Sequence, residues 1–270
     1  MKHIIILTIL CSFLSINKIH AQFTTGVTGL LHMPNAEMQK DGTVAIGGNF
    51  LNKHNLPSDY WWGYNTYNYF INITFFSRVE IAYVMTLVKG QQHIPYWPQQ
   101  TWGKFCNQDR NFAGRLQVVK EGEWWKNMPS IVLGVNDPTT GGSFDYTDLS
   151  VDGSGNGYFN RWYIALTKHF QLKGMGELGV HAAYLYNKRT DYPLNGPAFG
   201  LNFRPNFHKN LNLIAEYDAK TINIGAIYSL WADHFNFILE LQKGKYISAG
   251  LVYKVNLKGG NRWKSHILDY

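Results

Sequence analysis

The sequence predicts an all-β fold, a transmembrane antiparallel β-barrel of the outer-membrane type with about twelve strands. Alternation of apolar and polar residues dominates the chain, and in a strand this pattern places the apolar side chains on one face. These apolar faces carry no charged residue. Long and short connections alternate along the first half of the chain, as in outer-membrane barrels, whose long loops lie outside the cell and whose short turns face the periplasm.

Residues 1–21 predict a secretory signal peptide. Lys2 and His3 give a short basic start, an almost unbroken apolar run follows, and Ala21 ends a small-residue cleavage site. A buried N-terminal helix is the alternative. Cys11 lacks the small residues that a lipidation site needs before it, so we expect cleavage without a lipid anchor.

Composition and cysteine usage exclude several classes of protein. Basic residues outnumber acidic ones by 25 to 18 but form no cluster or helical stripe, so no nucleic-acid partner is expected. After the signal peptide, no apolar run reaches the roughly 18 residues of a transmembrane helix. Cleavage would leave Cys106 as a single cysteine, which excludes an intramolecular disulfide and a cysteine-based metal site.

The predicted barrel covers residues 42–258, and a tail follows at 259–270. A soluble β-sandwich also alternates apolar and polar residues, so the strand pattern alone does not decide between the two folds. In chain order, the apolar sets are Val44, Ile46, Phe50; Tyr67, Tyr69, Ile71, Ile73, Phe75; Val79, Ile81, Tyr83, Met85, Leu87; Phe112, Leu116, Val118; Ile131, Leu133, Val135; Trp162, Ile164, Leu166; Leu178, Val180, Ala182, Tyr184, Tyr186; Phe199, Leu201, Phe203; Leu211, Leu213, Ala215, Tyr217; Ile222, Ile224, Ala226, Tyr228, Leu230; Phe235, Phe237, Leu239, Leu241; and Ile247, Ala249, Leu251, Tyr253, Val255, Leu257.

Charged and polar residues occupy the opposite faces of these strands, where they would point into the lumen. Acids and bases are nearly equal in number there, which favours ion pairs across a narrow, largely occluded interior over a pore that selects one sign of charge. For Glu216 and Asp218, ligand binding is the alternative to structural pairing. The predicted lumen-facing residues are Arg78, Glu80, Arg115, Arg161, Glu177, His181, Arg204, Glu216, Asp218, Asn223, Glu240 and Lys254.

Three long connections, residues 51–65, 89–109 and 137–157, are predicted to be extracellular, and the tight turn at 76–78 is predicted to be periplasmic. The long connections are rich in Trp and Tyr. Their rings would either form an interfacial girdle or stack against the C–H faces of sugars. The aromatics that could contact sugar are Tyr60, Trp61, Trp62, Tyr96, Trp97 and Trp102.

Residues 22–41 precede the predicted barrel and lack its alternation. Pro34 has no N–H donor and fixes φ, so the chain around it should be extended or turned. Asp41 and Gly42 suit a turn before the first strand. The segment would form either a short plug under or inside the barrel or a flexible periplasmic lead-in.

Two motifs in the sequence resemble one family. The first is Gly29-Leu30-Leu31-His32-Met33-Pro34-Asn35-Ala36, with Asp41-Gly42-Thr43 after it, and the second is Glu216-Tyr217-Asp218, with Asn223-Ile224-Gly225 after it. Together they resemble the YjbH-like outer-membrane proteins of exopolysaccharide secretion, here in a single-barrel form. The better-known members are longer, with what looks like a second barrel, and are often lipidated. The family offers no established catalytic residues.

The resemblance implies a barrel in the bacterial outer membrane with a translocation or accessory role in exopolysaccharide or capsule export. Its partners would be outer-membrane lipid, and polysaccharide and periplasmic export proteins. A structural or docking barrel of another envelope machine, such as gliding-type secretion, is the alternative, followed by a lipid-modifying enzyme. Ser265, His266 and His169 suit an enzyme by residue type only, and no hydrolase or metalloprotease motif occurs. We therefore expect no enzyme, no catalytic residue, no metal and no cofactor.

Overall fold

The computed structural model describes residues 25–56, 62–138, 158–187 and 194–258. Within these ranges, twelve strands form one closed antiparallel barrel in which each strand pairs with its neighbours along the chain. Closure leaves no strand edge for uncontrolled pairing. The strands are β1 (Thr43–Leu51), β2 (Thr66–Phe75), β3 (Val79–Lys89), β4 (Phe105–Val119), β5 (Ser130–Asn136), β6 (Arg161–Leu172), β7 (Gly176–Tyr186), β8 (Gly196–Pro205), β9 (Leu211–Tyr217), β10 (Ile222–Leu230), β11 (Phe235–Gln242) and β12 (Tyr246–Asn256).

The barrel closes between β1 and β12, in a register that runs from Thr43 opposite Asn256 to Phe50 opposite Ala249. The prediction of an all-β barrel with about twelve strands is therefore confirmed. Two short 3-10 helices lie in the described parts of the connections. Of the helices in the described part of the chain, none has the length and apolar character that crossing a membrane requires.

The apolar sets of the sequence all lie on the outer face of the barrel. Ile71, Phe199 and Leu239 have 48%, 56% and 52% of their surface exposed, whereas the adjacent Asn72 and Ala198 are buried. No member of any set is fully buried. Because neighbouring side chains in a strand point to opposite faces, the alternation of the sequence divides each strand into an outer apolar face and an inner, more polar one.

The connections divide between the two ends of the barrel. The short-turn end carries the connections 76–78, 120–129, 173–175, 206–210 and 231–234, together with the start of β1 and the end of β12. The long-loop end is the end at which β1 connects to β2, β3 to β4, β5 to β6, β7 to β8, β9 to β10 and β11 to β12.

Arg78 lies at the short-turn end and not in the lumen, which corrects the prediction from the sequence. The strand β3 begins at Val79, so its alternation does not extend back to residue 78. The Arg78 guanidinium pairs with Glu123 and donates to the carbonyl oxygen atoms of Gln117 and Val118. It thus ties two neighbouring turns together at the rim.

The hydrophobic core lies inside the barrel. The wall contributes inward side chains such as Phe70, Val84 and Ile227, and the connections at the long-loop end contribute Trp62 and Trp97 among others. The segment before β1 contributes further residues. The apolar residues of that segment in the core are Val27, Leu30, Leu31, Met33 and Ala36. Wall and segment therefore form one packed interior.

Candidate functional site

Residues 25–41, called the plug below, run inside the barrel. Positions 26–37 are all buried, and the segment forms no strand of the wall. A tight hairpin lies at its tip, where the Leu30 N–H donates to the Met33 carbonyl oxygen at 3.0 Å and Gly29 bridges to Pro34. Of the two arrangements that the sequence leaves open for this segment, the structure shows the one inside the barrel for the described residues.

A single carboxylate of the wall holds the tip of the plug. Glu216 on β9 accepts hydrogen bonds from the backbone N–H groups of Leu31, His32 and Met33, at 2.9, 2.7 and 3.3 Å. Buried N–H groups need partners, and hydrogen bonds to a charged acceptor are stronger than those to a neutral one. Glu216 therefore supplies the tip with bonds that a neighbouring strand would otherwise provide.

The imidazole of His32 lies among carboxylates. Its Nε2 atom is 2.9 Å from Glu240 Oε1 and its Nδ1 atom is 3.6 Å from Asp218 Oδ2, with all three side chains buried. Burial lowers the pKa of His32, but the nearby charges of Glu240, Asp218 and Glu216 outweigh it and raise the pKa to about 9. The imidazole is therefore protonated at neutral pH. Asn223 donates to both Glu216 and Asp218.

The middle of the plug is held by the cationic side chain of Arg115 on β4. The Arg115 guanidinium donates to the backbone carbonyl oxygen atoms of Thr28, Asn35 and Glu37. Its Nε atom lies 3.4 Å from Glu80 Oε2, and Glu80 in turn accepts hydrogen bonds from the Thr28 backbone and hydroxyl. The buried ion pair of Arg115 and Glu80 thus binds both arms of the plug hairpin.

Neutral side chains of the wall complete the hydrogen bonding of Ala36. Its N–H donates to the Thr167 hydroxyl at 2.8 Å, and its carbonyl oxygen accepts from Ser130 and Gln117 at 2.6 and 3.0 Å. Arg161 donates to the His32 carbonyl oxygen at 3.1 Å. The backbone of the plug therefore forms hydrogen bonds with side chains of the wall, whereas a strand forms them with the backbone of its neighbours.

A charged cluster lies where the plug approaches the short-turn end. Glu37 accepts from Arg204 at 2.8 Å and lies 2.8 Å from His169 Nε2. The other ring nitrogen of His169 lies 2.6 Å from Glu121, and Arg204 also binds Glu177. A cleft of 270 Å³ opens beside this cluster, between plug residues 36–40 and the wall.

Asp41 and Gly42 attach the plug to the rim of the barrel. Asp41 accepts from the Phe76 N–H at 2.6 Å and pairs with Lys258 at 2.6 Å. Gly42 has a φ of +75°, a region that glycine adopts at little cost. Its N–H donates to the Thr74 carbonyl oxygen, so the connection between plug and β1 is fixed to strands on both sides.

Two glycines of the wall give the plug tip its space. A Cβ atom on Gly200 would lie 2.3 Å from Leu30 Cδ1 and 2.8 Å from Met33 Sδ, and a Cβ atom on Gly225 would lie 3.0 Å from Leu31. The two motifs of the sequence therefore meet in space. The residues of the second, Glu216, Asp218, Asn223 and Gly225, form the surface that receives the first.

Gly200→Phe is expected to displace the plug tip, because a ring at this position needs the volume that Leu30 and Met33 fill. Overpacking of an interior typically costs about 1–3 kcal/mol. Limited proteolysis of the purified protein should cut residues 25–41 faster in this variant. Gly114→Phe is the matched control, since the space at Gly114 is open apart from one carbonyl contact at 4.0 Å. Equal cleavage rates in both variants would contradict the packing described here.

Most of the predicted lumen-facing residues do lie inside. His181 bonds to Thr167 and Asn202, Lys254 lies 3.4 Å from Asp233, and Glu177 is only partly buried near the short-turn end. The buried residues of the predicted set are Glu80, Arg115, Arg161, His181, Arg204, Glu216, Asp218, Asn223, Glu240 and Lys254. The sequence did not identify His32, Glu37 or the neutral Thr167, although His32 stands within the first motif.

The loop aromatics divide into buried and exposed groups. Trp62 is 1% exposed, packs against Tyr158 and donates to the Leu87 carbonyl oxygen, and Trp97 is also buried. Their position corrects the prediction of sugar contact for these two rings, because packing closes their faces. Tyr96 is exposed at 71% and Trp102 is partly exposed. Tyr60 and Trp61 lie outside the described residues.

Fold and site together define a class of protein: a closed β-barrel whose interior is filled by the segment that precedes its first strand. A family model described as exopolysaccharide biosynthesis protein YbjH matches residues 21–191. The match covers more than half of the chain, and the chain belongs to this YjbH family. The matched range includes the plug and the wall residues Arg115 and Thr167. No curated protein matches the chain.

Proposed function

We propose that this protein is an outer-membrane barrel with a translocation or accessory role in exopolysaccharide export. Membership of a family described by exopolysaccharide biosynthesis supports the link to polysaccharide. The observation that carries the proposal is the plug, a segment that occupies the interior of the barrel and is bonded to side chains of its wall. Its partners would be polysaccharide and periplasmic export proteins, and we propose that the chain acts without catalysis.

The outer surface supports placement in a membrane. Apolar side chains such as Ile71, Phe199 and Leu239 are exposed around the barrel, and apolar patches of this extent are unusual on proteins in water. Tyr67 and Tyr184 are exposed towards the long-loop end, and tyrosine suits the interface between lipid and water. In the proposed orientation, the long-loop end faces outward and the short-turn end faces the periplasm.

The chemistry of the inner wall suits a neutral polymer. Buried amide side chains line the inner face on many strands, and each amide offers both donors and an acceptor to a sugar hydroxyl. With the plug withdrawn, this surface would present neutral hydrogen-bonding groups beside the ion pairs. The amides of the inner face are Asn49, Asn68, Asn72, Asn111, Gln117, Asn136, Asn202, Asn212, Asn223, Asn236 and Gln242.

The proposed role can be tested by linking the plug covalently to the wall. Ser130 Oγ lies 2.6 Å from the Ala36 carbonyl oxygen, so the two residues are in contact. Cysteines are placed at positions 36 and 130 in a Cys106→Ser background, and non-reducing electrophoresis verifies the disulfide that is to hold the plug. In a strain lacking the native gene, the oxidised double variant should leave polysaccharide unexported, and a reductant should restore export. The two single variants are the controls.

Full polysaccharide export by the oxidised double variant would contradict translocation through this barrel. Normal polysaccharide export in the gene deletion itself would contradict any role in export. If the deletion instead abolished protein secretion or gliding, the alternative of a docking barrel in a secretion machine would take its place.

The native Cys106 gives a direct measure of orientation. It is exposed, at the start of β4 on the long-loop end, so an impermeant maleimide should label it in intact cells. Ser77→Cys in a Cys106→Ser background should be labelled only after the outer membrane is permeabilised. Labelling of position 77 but not of Cys106 in intact cells would reverse the orientation.

A further inference from the structure

His32 stands apart from the other contacts of the plug because it brings a charged side chain to the tip. Leu31 and Met33 on either side of it are apolar and buried. The wall places Glu240 at 2.9 Å from one ring nitrogen and Asp218 at 3.6 Å from the other, while the Glu216 carboxylate binds the backbone beneath the ring. The tip is therefore a cation seated in a carboxylate site.

The charged groups around His32 come from three parts of the wall. Glu216 and Asp218 lie at the end of β9 and Glu240 lies on β11, while Arg161 on β6 faces the His32 carbonyl oxygen rather than the ring. Buried carboxylates without a compensating charge are strongly destabilising. A neutral imidazole would leave these acids with neutral donors. Backbone N–H groups donate to Glu216 and Asp218, the Asn223 amide donates to both, and the Asn55 amide donates to Glu240.

We propose that His32 and the carboxylates of Glu216, Asp218 and Glu240 form a proton-operated latch, in which the protonated imidazole holds the plug tip and its neutralisation releases the plug. The latch rests on the proposed function in one respect, because a gate is useful only if a polymer passes through the barrel. The latch itself belongs to the barrel and its plug.

The direction of plug release follows from the attachment of Asp41 and Gly42. Asp41 is bonded to the turn at Phe76 and Gly42 is bonded to β2, both at the short-turn end, where the plug joins β1. Once the tip is free, the plug can leave at that end as its contacts with Arg115, Thr167 and Arg204 break in turn, while residues 41–42 stay in place. The cleft of 270 Å³ beside residues 36–40 provides space on the same side.

The pH range of the latch follows from the raised pKa of His32. A group whose pKa rises in the seated state, here from 6.5 to about 9, stabilises that state fully below the lower value. The stabilisation is lost as the pH rises through the higher value. The plug should therefore be held at neutral pH and released between about pH 8 and pH 10.

The test measures how well the seated plug protects a cysteine. Val27 is buried and apolar, so Val27→Cys in a Cys106→Ser background places a thiol on the plug without removing a polar contact. The rate of its modification by a methanethiosulfonate is measured on the full-length protein in micelles. Each rate is divided by the rate for the exposed Cys106 of the native protein, measured separately at the same pH, which corrects for the rise of thiolate reactivity with pH. From pH 7 to pH 10 the normalised rate should rise roughly tenfold or more.

His32→Gln should already show the raised rate at pH 7 and lose the dependence on pH. His208→Gln is the matched control, because His208 lies at the short-turn end and stacks on Tyr228; it should keep the native profile. Glu240→Gln, which keeps the shape of the site, should move the transition to lower pH. If His32→Gln does not fold, this variant tests the latch in its place. A flat native profile, or an unchanged profile in Glu240→Gln, would overturn the latch. None of these measurements involves polysaccharide, so they can succeed or fail independently of the export role.

Discussion

Arg115→Met is expected to lower the free energy of unfolding by about 3–5 kcal/mol, the range for removing one partner of a buried ion pair. The substitution leaves Glu80 buried without the guanidinium and removes donors from the carbonyl oxygen atoms of Thr28, Asn35 and Glu37. Equilibrium urea unfolding in micelles measures the loss. We also expect the plug to become accessible to protease before the barrel unfolds.

Arg110→Met is the matched control for this experiment. Arg110 lies on the same strand, β4, but is exposed, and exposed substitutions usually change stability by less than about 0.5 kcal/mol. A similar, small loss in both variants would mean that the Arg115 contacts do not hold the plug.

Leu239→Arg should cost about 2–4 kcal/mol if the barrel spans a membrane, because the middle of β11 would then face the centre of the bilayer. Leu239 is 52% exposed and lies opposite Ala226 and Ala249 on the neighbouring strands. Folding titrations into lipid vesicles give the free energy. The same substitution in water would cost little, so the experiment tests the environment of the outer face as well as its stability.

Ile222→Arg tests how the cost of an outward arginine depends on its depth in the membrane. Ile222 begins β10 at the long-loop end and is 67% exposed, and arginine near the interface costs only about 0–1 kcal/mol. A difference between positions 239 and 222 is therefore expected. Its absence would place the outer face in water and would remove the main support for the membrane orientation.

The sequence could predict the wall because each strand carries its own signal. Alternation assigns Leu239 outward and Glu240 inward from a few neighbouring residues, and the tertiary structure needs to add nothing. The same rule failed at Arg78, where the strand had not yet begun. It also could not show that Trp62 folds inward, since the alternation of a strand does not continue into a loop.

The site could be predicted less well because its contacts are distant in sequence. Glu216 was identified as an inward charge, but its partners, the N–H groups of residues 31–33, lie 183 to 185 positions away. Neutral side chains such as Gln117 and Thr167 carry no signal that separates a plug contact from an ordinary polar lining. The resemblance of two motifs to one family was the only pattern that connected the two regions.

The plug also constrains the order in which the protein folds. β1 and β12 meet at the seam, where Asn256 bonds to Thr43 across a separation of 213 residues, and the plug is attached directly beside that seam. The surface that binds the tip of the plug, on β8 to β11, is formed by strands that come late in the chain. Contacts of such long range slow folding, because loop closure must precede them. The hairpin tip must therefore wait until almost the whole wall has formed.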